Sequence, residues 1–115
     1  MKNITLALIM LFLFTGLARA EVGLASWYSV KSSGNITANG ERYNQDAMTC
    51  ASMDYKFNTF LKVTNIGNGK AVIVRVTDRG NFKKYGRILD LSRGAFAKIA
   101  DLKIGVIKVK VEVVK

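Results

Sequence analysis

The C-terminal end of the chain alternates between apolar and charged residues. From position 107 to position 113 the odd positions are Ile or Val, and the three even positions between them carry a charge. Successive side chains of a β-strand point to opposite faces, so this pattern predicts a strand with one buried face and one solvated face.

Two further apolar runs, at 60–65 and 71–77, flank the short segment 66–70. Asn68 and Gly69 both tolerate a positive φ, and this dipeptide between two strand-like runs predicts a β-hairpin. Shorter strand candidates are residues 22–28 and 87–90.

One helix is predicted over residues 93–102. Ser92 is a good N-cap, and Leu91 is placed to pack on Phe96 as a hydrophobic staple. Residues 31–40 are rich in Gly, Ser and Asn, which indicates a flexible loop. Many short strands and one helix in so short a chain predict a mainly β fold, a small closed β-barrel.

The first twenty residues have the features of a secretory signal peptide. Lys2 gives a basic start, residues 4–17 form an apolar run, and residues 18–20 fit an A-x-A cleavage site. The run is shorter than the roughly 20 residues that a membrane span needs, and no cysteine lies near the cleavage point to hold a lipid anchor. We therefore expect residues 21–115 to form one small monomeric domain, secreted or periplasmic, with no stable membrane insertion.

Charge and chemistry narrow the function. The formal net charge is +10, of which the signal peptide holds only Lys2 and Arg19. A basic exported domain suits an anionic partner, and export argues against nucleic acid. The chain has no histidine, so acid–base chemistry falls to carboxylates, tyrosines, lysines or the single cysteine, Cys50. Cys50 has neither a disulfide partner nor a histidine to activate it, and we interpret it as buried apolar filler.

Asp78 is the first candidate for a functional carboxylate. It follows a predicted strand in which Val72, Val74 and Val76 share one face, and it precedes Gly80. Binding and catalytic groups concentrate at such loop rims, where a rigid sheet holds them in place. Two interpretations stay open: a catalytic carboxylate, or an aspartate that caps the turn before the glycine.

Five short segments follow one another in the order found in a known family. They are GLASWY at 23–28, TANGERY at 37–43, LKVTN with NGK at 61–70, VRVTDRGNF at 74–82 and RILDLS at 87–92. Each segment is weak evidence alone, but the ordered set resembles the rare lipoprotein A (RlpA)-like double-psi β-barrel family. The resemblance implies a signal peptide over 1–20 and a small six-stranded double-psi β-barrel with one short helix over 21–115.

Members of this family are bacterial lytic transglycosylases. The resemblance therefore implies peptidoglycan glycan strands as the substrate, cleaved between N-acetylmuramic acid and N-acetylglucosamine to leave a 1,6-anhydro end, with no cofactor or metal. It implies Asp78 as the general acid that then acts as the general base. It also implies Glu41 as a neighbour that tunes Asp78 or holds a sugar hydroxyl, although Glu41 could equally be an ordinary exposed carboxylate.

Three aromatic residues are candidates for contact with the sugar. Trp27 and Tyr28 could form a platform under a sugar ring, but adjacent strand residues face opposite ways, so only one of them can line the groove. Core packing is the alternative for either residue. Tyr43, the last residue of the TANGERY segment, completes the predicted aromatic set.

Two charged residues complete the predicted substrate-binding set. Arg79 could pair with the lactyl carboxylate of muramic acid or with Asp78 itself. Asp90 could face the groove, or it could support the helix entry next to the Ser92 cap.

The chain departs from the family pattern at two single positions and over residues 53–58. Ser52 stands where the family has a histidine, and Asn81 replaces a proline. Serine can donate and accept a hydrogen bond, but it cannot carry a proton charge near neutral pH. The resemblance therefore implies that Ser52 is a catalytic position with altered chemistry. Two other functions stay open: a non-catalytic, expansin-like wall-binding barrel, and a secreted effector or inhibitor built on the same fold.

Overall fold

The computed structural model describes residues 20–28, 35–80 and 82–115. Within these residues the chain forms six strands and one α-helix: β1 (Ala20–Trp27), β2 (Thr49–Ala51), β3 (Phe60–Asn65), β4 (Ala71–Asp78), β5 (Arg87–Leu91), α1 (Arg93–Ile99) and β6 (Ile107–Val113). Two short 3₁₀ turns cover Lys83–Tyr85 and Leu102–Ile104. The predicted signal peptide lies outside the described residues apart from Ala20, and so does the first part of the predicted loop 31–40.

The six strands form a closed barrel in the order β1-β5-β2-β4-β3-β6. β1 runs parallel to β5 and β2 runs parallel to β4, whereas the other neighbours are antiparallel. Closure leaves none of these strands with an unpaired edge. The predicted six-stranded β-barrel with one short helix is therefore confirmed.

The barrel interior is filled by aliphatic side chains from every strand. In β6, Ile107, Val109 and Val111 are buried while Lys108 is exposed, which confirms the predicted alternation. Cys50 is fully buried and free, as expected for apolar filler, and burial raises the pKa of its thiol to about 12.

The predicted hairpin joins β3 to β4. Asn65 N donates to Lys70 O at 2.8 Å, and Gly69 N donates to Asn65 O at 2.8 Å. Gly69 has the expected positive φ of 77°, but Asn68 is not among the described residues with positive φ. Asn68 contributes its side chain instead, because its Oδ1 accepts a hydrogen bond from Lys70 N. The hairpin prediction holds, but the turn uses one left-handed residue rather than two.

The helix is shorter than predicted. Its start is as expected, since the Ser92 hydroxyl accepts a hydrogen bond from Ala95 N. Its end at Ile99 differs from the predicted Leu102, because Ala100 is extended and Asp101 caps the following 3₁₀ turn through Lys103 N. Throughout the described part of the chain, no helix is long and apolar enough to cross a membrane.

Ser92 gives a testable prediction about stability. Its side chain is fully buried, accepts from Ala95 N and donates to Ala47 O. Ser92→Ala removes the cap and one of the two donors to Ala47 O, which keeps the hydrogen bond from Thr49 N, so we expect a loss of about 1–2 kcal/mol in the free energy of unfolding. Urea denaturation measures this loss. Ser92→Thr keeps the hydroxyl and is the control, and an alanine variant as stable as the wild type would contradict the assignment.

Candidate active site

Four residues in one row across neighbouring strands define the candidate site. Ser26 of β1 pairs with Asp90 of β5, Asp90 pairs with Ala51 of β2, and Ala51 pairs with Asp78 of β4. Asp78 and Asp90 therefore lie on the two strands that flank Ala51. The barrel topology brings together two carboxylates that are twelve positions apart in the sequence.

A bulge moves Asp78 out of the core-facing positions of β4. Cys50 is opposite Val76, yet the next residue, Ala51, is opposite Asp78, so Thr77 is an extra residue in β4. Strict alternation would place Asp78 on the same face as the buried Val76. An extra residue resets the alternation, and such bulges are frequent next to active sites because they re-aim a side chain.

A second bulge sets the position of Asp90. Leu24 is opposite Arg87 and Ala25 is opposite Leu89, so Ile88 is the extra residue in β5. The Ile88 side chain lies over Gly23, where an added Cβ would come within 2.8 Å of Ile88 Cγ2. The first glycine of the GLASWY segment therefore makes room for this bulge.

Three donors orient the Asp78 carboxylate. Its Oδ1 accepts from Ala38 N at 2.9 Å and from Arg79 N at 2.8 Å, and its Oδ2 accepts from the Tyr28 hydroxyl at 3.0 Å. The bond from Arg79 N is the turn-capping role considered for Asp78, and it coexists with the other two. An ionised carboxylate has about four acceptor positions. The described contacts use two of them on Oδ1 and one on Oδ2.

Tyr28 and Tyr43 form an aromatic pair beside Asp78. Their rings stack with centroids 4.5 Å apart and an interplanar angle of 21°. Burial, with Asp78 as the next cause, raises the pKa of the Tyr28 hydroxyl, so this group stays a neutral donor. Burial also raises the pKa of Tyr43, which is only 5% exposed and accepts from Arg93 N.

Trp27 points elsewhere. Its indole nitrogen donates to Leu102 O at 3.1 Å, and its ring centroid lies 6.5 Å from that of Phe96 in α1. The expectation that only one of the adjacent pair Trp27 and Tyr28 faces the groove agrees with this arrangement. Tyr28 is the one that contacts Asp78.

Asp90 is a half-buried carboxylate, with a side chain that is 22% exposed. It accepts a hydrogen bond from the Ser26 hydroxyl, and Arg87 Nη1 lies 3.7 Å from its Oδ1. Burial raises the pKa of Asp90, and the charge of Asp78 adds to the increase, against the opposing effects of Ser26 and Arg87. The two carboxylates are therefore electrostatically coupled.

Glu41 has the opposite environment. Both of its oxygens accept from Arg75, at 2.7 Å each, and Oε2 also accepts from Asn39 Nδ2. The hydrogen bonds from Arg75, followed by that from Asn39, lower the pKa of Glu41 to about 2. Glu41 and Asp78 do not hydrogen-bond to each other; they are connected through the loop of Glu41, in which Ala38 N donates to Asp78 Oδ1.

Ser52 and Arg79 meet next to Asp78 through the backbone. Ser52 N donates to Asp78 O at 3.0 Å, and Arg79 Nη1 donates to Ser52 O at 2.8 Å. The Ser52 side chain is fully buried, and its hydroxyl accepts from Asp54 N and Tyr55 N. The Arg79 guanidinium lies 4.0 Å from the centroid of the Phe57 ring.

A cavity of about 240 Å³ lies between the loop that contains Glu41 and strands β2 and β4. Its walls include Glu41, Tyr43, Thr49, Arg75 and Thr77, so it borders the Asp78 site without including Asp78. No cluster of three or more potential metal-binding His, Cys, Asp or Glu side chains occurs in the ranges 20–28, 35–80 and 82–115.

Sequence reasoning missed three participants. Ser26 lies in the GLASWY segment and Arg75 in the VRVTDRGNF segment. A serine or an arginine within a strand does not by itself indicate which carboxylate it will contact. Ala38 contributes a backbone N–H, which no side-chain pattern can reveal. Gly40 does indicate the turn that presents Ala38 N. Its φ of 93° suits glycine, and Gly40 N closes the turn by donating to Thr37 O.

Comparison with known proteins identifies relatives over most of the chain. The lytic transglycolase family matches residues 20–111. The endolytic peptidoglycan transglycosylase RlpA of Campylobacter jejuni is 48% identical over 92 residues, covering 80% of this chain and 33% of the relative. RlpA of Vibrio cholerae is 46% identical over 94 residues, covering 82% of this chain and 35% of the relative. The chain thus spans about a third of the length of these curated relatives.

Solved structures agree on the fold. A mutant expansin of Clavibacter michiganensis, crystallised with cellohexaose, superposes with a TM-score of 0.67 at 27% identity and covers 84% of this chain and 51% of its own. The Streptomyces papain inhibitor superposes with a TM-score of 0.69 at 20% identity, covering 87% of this chain and 98% of its own, and at that identity the likeness concerns the fold alone. With the family match over residues 20–111, these findings establish that the chain belongs to the lytic transglycolase family of RlpA-like double-psi β-barrels.

Proposed function

We propose that this protein is an exported lytic transglycosylase that cleaves peptidoglycan glycan strands between N-acetylmuramic acid and N-acetylglucosamine. Asp78 is the general acid and then the general base, and the product ends in 1,6-anhydro-N-acetylmuramic acid. The family membership and the names of the curated relatives support the reaction class.

The orientation of Asp78 is the observation on which the assignment rests. Three donors fix its carboxylate at the end of β4, and one acceptor position on Oδ2 is not used by a described contact. A proton held at that position leaves all three of these hydrogen bonds in place. Tyr28 fixes the other side of the same oxygen as a neutral donor, so it does not compete for the proton.

The reaction then needs one proton and no water. Asp78 donates its proton to the glycosidic oxygen, and the bond from that oxygen to the anomeric carbon of the muramic residue breaks. The Asp78 carboxylate next accepts the proton of the muramic 6-hydroxyl, whose oxygen bonds to the same carbon. Asp78 ends protonated as it began, which is the sequence expected of one group that acts first as acid and then as base.

The other carboxylates have supporting roles in this proposal. Asp90, coupled to Asp78 by charge, is the second carboxylate of the row and faces the bound sugar. Glu41 stays ionised near neutral pH, so it acts as a hydrogen-bond acceptor for a sugar hydroxyl rather than as an acid. Ser52 occupies the histidine position and influences Asp78 through its backbone N–H.

Arg79 and the aromatic pair supply sugar contacts. Arg79, stacked on Phe57, offers a cation to the lactyl carboxylate of muramic acid, and Tyr28 with its partner Tyr43 forms the wall behind the reacting bond. Trp27 packs on Phe96 of α1 and donates to Leu102 O instead. Export through a signal peptide over residues 1–20 delivers the domain to the cell wall.

A non-catalytic wall-binding barrel is the second candidate. It is favoured by the fold similarity to an expansin crystallised with an oligosaccharide and by the serine at the histidine position. Binding of the protein to insoluble peptidoglycan with no release of fragments from any variant would select this candidate.

Asp78→Asn tests the acid–base role. Asparagine keeps the shape and can still accept from Ala38 N and Arg79 N, but it cannot transfer the proton. We expect the rate of 1,6-anhydro product formation, followed by mass spectrometry on purified glycan strands, to fall at least ~100-fold, as expected when general acid–base catalysis is lost. The melting temperature should hardly change.

Asp101→Asn is the matched control, because Asp101 caps the 3₁₀ turn after α1 and an asparagine oxygen can keep that cap. Its activity should equal that of the wild type. If Asp78→Asn remains fully active while Asp90→Asn does not, the acid is Asp90 and the present assignment is wrong.

Ser52→His tests the departure from the family. Residue 52 follows Ala51, which lies between the two carboxylates, so an imidazole here adds a group that titrates near neutral pH. We expect turnover per folded molecule to rise about tenfold, below the ~10²–10⁴ of a fully optimised proton-transfer group. The melting temperature should fall, because Ser52 is buried and caps two backbone N–H groups. Ser52→Asn, which does not titrate, should show the same destabilisation without the gain.

A further inference from the structure

Arg75 of β4 connects two loops, one that contains Glu41 and one that contains Asn58. Its guanidinium donates through Nη1 and Nη2 to the two oxygens of Glu41, both at 2.7 Å, and Nη1 also donates to Asn58 Oδ1 at 2.8 Å. A two-pronged contact of this kind fixes direction as well as distance. Asp78 lies three residues further along the same strand.

Arg75 holds the first loop, which contacts Asp78. This loop is tied to the barrel by Asn39 N, which donates to Thr77 O at 3.1 Å, and by Ala38 N, which donates to Asp78 Oδ1. Glu41 is the charged anchor of the loop, and Asn39 joins it to Thr37 through side-chain hydrogen bonds. Fixing Glu41 therefore fixes the backbone donor of the catalytic carboxylate.

In the second loop, Arg75 holds Asn58 in an unusual backbone conformation. Asn58 has a φ of 69° and is the non-glycine residue with positive φ in the described part of the chain. Left-handed residues other than glycine are uncommon and concentrate at functional sites. The neighbouring Phe57 is the ring on which Arg79 stacks.

We propose that Arg75 is a positioning residue for glycan cleavage, which ties the Glu41 loop and the Asn58 loop to the strand that ends in Asp78. It acts through Glu41, Ala38 and Asn58 rather than by contact with the reacting atoms. This inference rests on the proposed function.

The charge of Arg75 also determines the protonation state of Glu41. Hydrogen bonds from Arg75 are the largest cause of the lowered pKa of Glu41, and Asn39 is the second. Arg42, the next residue in the chain, lines the same cavity as Glu41 and Arg75. Without Arg75, the pKa of Glu41 should move back toward the ordinary value of 4.5, so Glu41 would take up a proton in mildly acidic solution.

The test compares Arg75→Gln, Arg75→Lys, Glu41→Gln and the double variant Arg75→Gln/Glu41→Gln. We expect Arg75→Gln to lower turnover about 10- to 100-fold, because small displacements of a reacting group are costly. Arg75→Lys should recover only part of the loss, since lysine keeps the charge but not the fork. The double variant should lose little more than either single variant, because the residues act as one unit.

The pH profile separates positioning from a general loss of structure. Wild-type Glu41 stays ionised above about pH 2, so its titration should not shape the activity profile in the normal range. In Arg75→Gln an additional loss of activity should appear as the pH falls through about 4.5, and it should be missing from the double variant. A profile of Arg75→Gln that runs parallel to the wild type would overturn the proposal.

Two further measurements keep this result independent of the proposed function. Carbon NMR of the Glu41 carboxyl should show its midpoint rising in Arg75→Gln, and hydrogen exchange should show faster exchange of the Ala38 amide. Lys110→Gln, which breaks an ion pair with Glu112 of 3.6 Å on β6, is the control and should change neither readout. If no form of the protein cleaves glycans but both changes appear, the proposed function fails and the positioning role of Arg75 stands. If the Glu41 midpoint and the Ala38 exchange rate are both unchanged, the positioning role is wrong.

Discussion

The pairing of β2 with its two neighbours is the constraint on which the site depends. This strand has only three residues, yet it runs parallel to β4 and antiparallel to β5, so that Ala51 is opposite both Asp78 and Asp90. The bulge at Thr77 in β4 shifts the alternation, so that Asp78 does not share the core-facing side of Val76. The bulge at Ile88 in β5 shifts the alternation before Asp90. The two carboxylates are held by the backbone ladder rather than by flexible loops, which is the more accurate way to place reacting groups.

Contacts from outside the β2 pairing complete the environment of Asp78. Asp78 receives Ala38 N from one loop and the Tyr28 hydroxyl from the end of β1, so three separate segments meet at one carboxylate. The contacts from Ala38 and Tyr28 join residues that are 40 and 50 positions apart in the sequence. Such a site forms only when the barrel has closed, which couples the correct fold to the geometry of the carboxylate.

The sequence predicted the parts of this structure that repeat and missed those that do not. Alternation located β6 and the β3–β4 hairpin, because many residues share one period. It could not place β2 within the chain, since three residues make no pattern, and it overran the helix because extended Ala100 and the cap at Asp101 interrupt an apolar face that continues beyond Ile99. For the site, family segments pointed to Asp78, Glu41 and Tyr28, but the Arg75 fork depends on partners 34 and 17 positions away.

The environments of the carboxylates restrict which of them can supply a proton. Arg75 lowers the pKa of Glu41 to about 2, so at the pH of a cell wall this group is an anion that can accept hydrogen bonds but has no proton to give. Burial raises the pKa of Asp90, and the adjacent charge of Asp78 contributes to that rise. When the pKa values of neighbouring carboxylates shift in opposite directions, one carboxylate can act as an acid while another remains an ionised acceptor. In the proposed function the proton donor is therefore a member of the Asp78–Asp90 pair, and we assign it to Asp78, which three hydrogen-bond donors hold at the end of β4.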